Sequence, residues 1–105
     1  MKVIWTAKAK KQVQKTAGYI RREFGSTTVS EFKQTIRETD RLLAGNPYMG
    51  RVEPFLEELP QMYRSYVITQ VNKIVYRIDD DKIVIVAFWD MRREPSSLVN
   101  EIKKS

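Results

Sequence analysis

Residues 71–95 constrain the fold most, because two apolar segments lie on either side of three consecutive aspartates. The segments at 72–79 and 82–89 are rich in Ile and Val, a composition and length typical of β-strands. Asp79, Asp80 and Asp81 between them predict a tight turn. A link this short joins antiparallel neighbours, so the sequence predicts a β-hairpin here.

The side chains of the first hairpin strand divide into two sets, because successive residues of a strand point to opposite faces of the sheet. One set is Ile74, Tyr76 and Ile78, and the other is Lys73, Val75, Arg77 and Asp79. This division predicts one face packed on helices and one polar face. The second strand is apolar on both faces, which is typical of a central strand; a buried strand in parallel pairing with the N-terminal strand gives the same pattern.

The first half of the chain predicts a strand followed by a helical hairpin. Residues 2–6 form the strand, and a helix then runs to Phe24 with apolar residues every three or four positions. Gly25 ends this helix. Thr28 and Glu31 have the spacing of a capping box for a second helix, which Gly45 ends.

Residues 46–61 contain three prolines and predict an irregular connection across the molecule. A third strand of the antiparallel group is predicted at 62–69. A chain of 105 residues is long enough for one compact core and too short for two, so we expect a single domain over residues 1–105. The predicted fold class is α+β, with the N-terminal strand and helical hairpin packed on a twisted, mainly antiparallel four-stranded sheet.

Two missing residue types exclude several kinds of chemistry. The chain has no Cys and no His, which excludes disulfides, a thiol nucleophile, a Cys/His zinc site and a histidine general base. No metal and no other cofactor is predicted. The N-terminus lacks the apolar region of a signal peptide, and no apolar run approaches the roughly 18 residues of a membrane span. We therefore expect a cytoplasmic protein without membrane contact.

The net charge of +6 lies entirely in the first half of the chain. Residues 1–50 carry ten Lys or Arg and four Asp or Glu, whereas residues 51–105 carry nine of each. A basic surface favours a polyanionic partner. Lys8, Lys11, Lys15 and Arg22 form a basic stripe on the first helix, which either a solvated face or contact with a partner explains.

The third strand adds two polar side chains to the predicted sheet. Arg64 and Tyr66 are two residues apart and therefore point to the same face. If that face also carries Lys73 and Arg77, the sheet presents a cationic surface, with the arginine pair at 92–93 on its rim. Guanidinium groups stay charged and grip phosphate in a bidentate way, so this surface would suit a phosphate-rich ligand.

The order and spacing of these segments resemble the RelE/ParE family of bacterial type II toxins. The resemblance rests on YRSYVI at 63–68, NKIVYRIDDDKIVIV at 72–86 and WDMRREPSSL at 89–98, and it covers nearly the whole chain. It implies the toxin component of a type II toxin–antitoxin system, with a cognate antitoxin protein as partner. The antitoxin is predicted to bind either the hairpin surface or exposed apolar positions in the connection, namely Phe55, Leu56, Leu59 and Met62.

The family has two kinds of target. RelE-like members cut messenger RNA on the ribosome with lysines, arginines and a tyrosine, and ParE-like members bind DNA gyrase and are not nucleases. By the resemblance to the RelE-like pattern, the catalytic candidates are Arg64, Tyr66, Lys73 and Arg93, and Arg77 and Arg92 are candidates for phosphate binding. That pattern has a lysine in place of Tyr66, an arginine in place of Lys73 and a catalytic tyrosine near Leu98 or Val99.

The expected function is therefore growth inhibition by ribosome-dependent mRNA cleavage without a metal. One alternative is a non-enzymatic inhibitor of DNA gyrase, with the basic first helix and the sheet edge as its interface. Another is an inactive or antitoxin-dependent nucleic-acid-binding module. Several candidates also have a purely structural interpretation. Tyr66 would pack on the sheet, Lys73 would be solvated, Tyr76 would be core, Arg77 would pair with Asp79 or Asp81, and Asp90 would orient the arginines or start a turn.

Overall fold

The computed structural model describes residues 1–104. The helices are α1 (Ala7–Phe24), α2 (Ser26–Gly45) and α3 (Ser96–Lys103). The strands are β1 (Lys2–Trp5), β2 (Arg51–Val52), β3 (Arg64–Val67), β4 (Asn72–Asp79) and β5 (Lys82–Asp90). A 3₁₀ turn at Pro54–Leu56 lies between β2 and β3.

The strands form one mixed sheet in the order β1-β5-β4-β3-β2. β1 pairs with β5 in parallel, and the other neighbours are antiparallel. The α+β class is confirmed. Both interpretations of the apolar β5 strand hold, since β5 is central in the sheet and is also the parallel partner of the N-terminal strand, whereas the strand count of four is wrong. The additional strand, β2, lies inside the connection predicted as irregular, and its two residues are too few to show a strand period in the sequence.

The β4–β5 hairpin forms as its sequence predicts. Asp79 pairs with Lys82 at the end of the ladder, so Asp80 and Asp81 make a two-residue turn. Asp80 has φ +54°, a left-handed conformation that Asp tolerates better than most residues. The β3 strand is shorter than predicted, because the backbone N–H groups of Ile68 (2.9 Å) and Thr69 (3.2 Å) both donate to the Asn72 carbonyl, which turns the chain instead of continuing the strand.

Local signals set the ends of the helical hairpin. The Thr6 hydroxyl accepts a hydrogen bond from the Ala9 N–H (3.1 Å) and caps α1. Gly25, at φ +91°, takes the backbone conformation that ends α1 and lets α2 begin at once. The capping box is wrong, because Thr28 already lies inside α2 and its hydroxyl donates to the Phe24 carbonyl (3.3 Å).

Both faces of the sheet are covered. The first face, which carries Ile74 and Tyr76, packs against α1 and α2. The second face, which carries Val75, packs against Leu56 of the 3₁₀ turn and Leu98 of α3. The prediction of a polar second face is therefore wrong, because α3 and the connection provide a second apolar layer. Within residues 1–104, neither long helix is apolar enough to cross a membrane.

Candidate functional site

Strand register divides the catalytic candidates between the two faces of the sheet. Arg64 and Tyr66 lie directly opposite the first-face residues of β4. Opposed residues of antiparallel strands share a face, so both belong to the first face. Lys73 and Arg77 alternate with those residues and belong to the second face. The condition for one shared cationic surface is not met.

Lys73 lies beneath the connection, paired with Glu53. Its side chain is 9% exposed and that of Glu53 is 0% exposed, and Nζ of Lys73 donates to Oε1 of Glu53 in a salt bridge. The Phe55 ring covers the ammonium group, with its centroid 5.9 Å from Nζ. The prediction of a solvated lysine is wrong, because the connection folds back over the second face.

Glu53 is held by several donors at once. Its Oε2 accepts the Phe55 N–H (3.0 Å), and the Ser65 side chain also donates to the carboxylate. Burial alone raises the pKa of Glu53, but the hydrogen bonds from Lys73, Phe55 and Ser65, together with the charge of Lys73, outweigh burial and hold this pKa below its ordinary value. The carboxylate is therefore ionised at neutral pH, and it forms a salt bridge with the Lys73 ammonium group.

Sequence reasoning missed Glu53, although one signal was present. An acidic residue directly before Pro54 is typical of a helix start with proline in the first helical position, and Glu53 does cap the 3₁₀ turn. Its pairing with Lys73 joins residues twenty positions apart, so it depends on tertiary structure that no local pattern encodes.

The Arg64 side chain contacts the connection. Its Nη1 donates to the Gly50 carbonyl (2.8 Å), and its guanidinium lies 5.1 Å from the centroid of the Tyr48 ring. The buried Tyr76 hydroxyl donates to the Pro47 carbonyl (2.7 Å) and accepts the Gly50 N–H (2.9 Å). A Cβ on Gly50 would lie 2.7 Å from a backbone oxygen of β3, so only glycine fits this approach. Arg64 and Tyr76 together fasten residues 47–50 to the sheet.

Three structural interpretations of single residues are confirmed. Tyr76 is completely buried in the first-face core, and burial raises its pKa, which keeps the hydroxyl protonated. Tyr66 is half-buried and packs against the same core. Arg77 donates through Nε to Asp79 (2.8 Å).

Arg92 and Arg93 are the candidates that remain exposed. Asp90 accepts from Nε (3.0 Å) and Nη2 (2.7 Å) of Arg92 and also from its backbone N–H (2.9 Å). The hydrogen bond from the Arg92 side chain is the main reason that the pKa of Asp90 lies below its ordinary value. The Arg93 guanidinium lies 4.3 Å from the centroid of the Trp89 ring. Asp90 therefore orients Arg92, as the sequence suggested.

The C-terminal segment carries apolar contacts at the position where the resemblance places a catalytic tyrosine. Leu98 is buried on α3 against the second-face core, and Val99 packs against the same core. The four catalytic candidates therefore lie in three places. Arg64 and Tyr66 are on the first face, Lys73 is beneath the connection, and Arg93 is on the exposed rim.

The connection also presents a surface that suits an apolar partner. Phe55 and Met62 are exposed, as predicted, but Leu56 is buried and Leu59 is partly buried. The prediction of an exposed Leu56 is wrong, because the 3₁₀ turn points this side chain into the second-face core. A groove of about 350 Å³ runs between β2 and residues 59–63, with Met62 on its wall.

Comparisons with known proteins agree on one family. A family model described as the ParE toxin of the type II toxin–antitoxin system parDE matches residues 3–95. No curated protein matches the chain significantly.

Solved structures with the same fold include a chain of the chromosomal ParDE system from P. aeruginosa, with TM-score 0.69 and 20% identity over 86% of this chain and 95% of that one. A YoeB/ParE toxin from Agrobacterium tumefaciens has TM-score 0.58 and 19% identity over 86% of this chain and 98% of that one. YoeB from Staphylococcus aureus has TM-score 0.57 and 19% identity over 84% and 93%. Identities this low show likeness of fold alone. The family-model match, which spans most of the chain, shows that this protein belongs to the ParE toxin family of type II toxin–antitoxin systems.

Proposed function

We propose that the toxin inhibits growth by binding a protein target, DNA gyrase, rather than by cutting messenger RNA. Both targets are in the cytoplasm, which is where we expect the chain to act. The choice between the two targets depends on whether the side chains that the resemblance assigns to catalysis can reach one substrate in this fold.

The observation that carries the proposal is the engagement of Lys73 by Glu53. RNA cleavage through the 2′-hydroxyl needs a base and an acid that reach the substrate, with cations around the phosphate. Lys73 is beneath Phe55 with its charge neutralised, and Tyr66 is on the opposite face of the sheet, half-buried in the core. Bringing these two groups to one phosphate would require the connection to detach and one strand to change its register.

The exposed candidates favour binding over proton transfer. Arg92 and Arg93 extend from the turn after β5, and a guanidinium stays protonated throughout the physiological range. Arginine is frequent in the energetically important parts of protein interfaces, where it makes several hydrogen bonds at once. These residues therefore support recognition of a partner surface.

Family membership implies an antitoxin partner, and we propose that it covers the groove beside β2. Phe55 and Met62 give this region exposed apolar area, and the short β2 leaves one edge of the sheet open to an added strand. A segment that folds on binding could occupy the groove and the edge together. Burial of Met62 in the complex, measured by hydrogen exchange or crosslinking, tests this placement.

The test of the proposed function examines both targets. The chain is induced alone in a bacterial host, and translated messages are examined by primer extension. The purified chain is then added to gyrase supercoiling and DNA-cleavage assays. We expect intact messages, inhibited supercoiling and trapped gyrase–DNA breaks. Translation-dependent cuts within codons, with gyrase unaffected, would overturn the proposal in favour of mRNA cleavage.

A further inference from the structure

The C-terminal end of α1 carries two exposed aromatic side chains. Tyr19 is 53% exposed and Phe24 is 62% exposed. Their ring centroids are 6.3 Å apart and their planes are inclined by 71°, an edge-to-face pair. Because the two rings are in contact, one pocket of a partner can cover both. Exposed clusters of this kind are typical of interaction sites, and tyrosine is among the commonest residues at the centre of protein interfaces.

Basic residues lie close to this aromatic pair. Arg21 and Arg22 occupy the last turn of α1. Arg92, whose side chain is 72% exposed, lies near enough to Tyr19 that the tyrosine adds a minor contribution, after the dominant one from Asp90, to raising the pKa of the guanidinium. α1 as a whole carries six basic residues and one acidic residue. We call the surface formed by Tyr19, Arg21, Arg22, Phe24 and Arg92 the hairpin tip.

We infer that the hairpin tip is the surface by which the toxin docks on its target, and that the target presents an apolar pocket with an acidic rim. The inference rests on the proposed function, since it takes the target to be a protein. The two rings would enter the pocket, and the arginines would pair with carboxylates around it. This combination of aromatic and arginine side chains is the one enriched in interface cores. A second copy of the chain is a poor occupant, because two basic tips would repel each other.

A nucleic-acid partner fits the hairpin tip less well than a protein does. The inclined rings of Tyr19 and Phe24 offer no parallel pair of faces on which successive bases could stack. An apolar pocket of a protein can instead take in both rings, and carboxylates on its rim can bind Arg21 and Arg22 in the last turn of α1.

The test combines two substitutions in one variant, Tyr19→Ser and Phe24→Ser. The matched control is Leu42→Ser, since Leu42 on α2 is 52% exposed and lies outside the hairpin tip. Circular dichroism and the urea midpoint establish that each variant folds. Growth on induction and binding of the purified chain to immobilised gyrase are then measured. We expect the tip variant to lose growth inhibition and to bind gyrase roughly 30-fold more weakly, the size of one interface hot spot, while the control keeps both.

A second variant, Arg21→Gln with Arg22→Gln, keeps the aromatic pair and removes the charge. We expect slower association with gyrase and a weaker dependence of binding on salt, because the lost charges steer the encounter. A folded tip variant that inhibits growth and binds gyrase as the parent does would overturn the inference and leave the proposed function standing. A parent chain that cuts messages, or that leaves growth unaffected, would overturn the proposed function and, with it, the protein target of the tip. Toxicity that depends on the tip without any gyrase binding would overturn gyrase as the target and support the tip.

Discussion

Lys73 and Arg92 are both cations that the sequence predicted to face a phosphate, and each is paired with a carboxylate in the folded chain. Their environments differ. The Lys73–Glu53 pair is almost completely buried beneath the connection, whereas the Arg92–Asp90 pair has its arginine side chain 72% exposed. Removing one charge of a buried pair leaves the other without water or a partner, which is costly. Removing one charge of an exposed pair costs little, because water and salt screen the other.

The comparison shows that a cation predicted for a functional site can instead be used to hold two segments of the chain together. The salt bridge between Glu53 and Lys73 attaches the connection to β4, and the connection covers the second face of the sheet. Arg92 is oriented by Asp90 but still reaches solvent. The first pair should therefore control stability, and the second should affect recognition more than stability.

The largest effect is expected from breaking the buried pair. Lys73→Ala leaves the Glu53 carboxylate buried without its cation, which costs about 3–5 kcal/mol in the free energy of unfolding. Urea denaturation followed by tryptophan fluorescence measures the loss. As the matched comparison, Asp90→Ala removes the carboxylate of the exposed pair and should shift the urea midpoint far less. Equal shifts for the two variants would contradict the assigned difference in environment.

The pH dependence of folding stability should also differ between the Lys73–Glu53 and Arg92–Asp90 pairs. The folded-state pKa of Glu53 lies below its ordinary value of 4.5, so its contribution to stability is complete above pH 4.5 and is lost as the pH falls through the lower folded pKa. Thermal melts from pH 6 to pH 2 should show this loss, and Glu53→Gln should remove it. Asp90 also has a lowered pKa, but its smaller contribution should disappear in about 1 M salt, where the screening length is about 3 Å. An acid transition that is abolished by salt would mean that Glu53 is not the dominant group.

A buried neutral contact should fall between the two ion pairs. Tyr76→Phe removes the hydroxyl that holds Pro47 and Gly50, and it leaves a buried N–H without its acceptor. The expected cost is about 1–3 kcal/mol in the free energy of unfolding. The same urea experiment measures it, and a cost above that of Lys73→Ala would reverse the proposed ranking.

The smallest stability effect is expected from Arg92→Gln. The guanidinium is exposed, so its loss should leave the melting temperature nearly unchanged. Binding to gyrase should nevertheless weaken, because Arg92 belongs to the hairpin tip. Differential scanning fluorimetry and the gyrase binding assay give the two readouts, and a large fall in melting temperature with unchanged binding would reverse the assigned roles.

Periodic segments made much of the fold predictable. Both helices of the hairpin and the two strands around Asp79–Asp81 are long enough to show their periods, and the strand pair forms with the predicted register of faces. β2 and α3 were missed, because two residues show no period and the Ser96–Lys103 segment has only two buried side chains. Missing α3 led directly to the wrong prediction of a polar second face.

The candidate site was less predictable, because its residues depend on pairing across the chain. Strand alternation correctly placed Arg64 with Tyr66 and Lys73 with Arg77, but it could not give the register between β3 and β4 that sets these pairs on opposite faces. Local charge spacing was enough to suggest the Arg77–Asp79 and Asp90–Arg92 contacts. The Glu53–Lys73 contact is long-range, and no local signal predicts it.

Growth inhibition by the double variant Lys73→Met with Glu53→Gln tests most directly whether Lys73 has a structural role and not a catalytic one. The methionine fills the buried space without a charge, and the glutamine oxygen still accepts from Phe55 and Ser65, so the fold should be retained. If Lys73 is an anchor, the induced double variant should inhibit growth as strongly as the parent. A double variant that folds with the parent's urea midpoint but no longer inhibits growth would instead show that Lys73 belongs to the active surface.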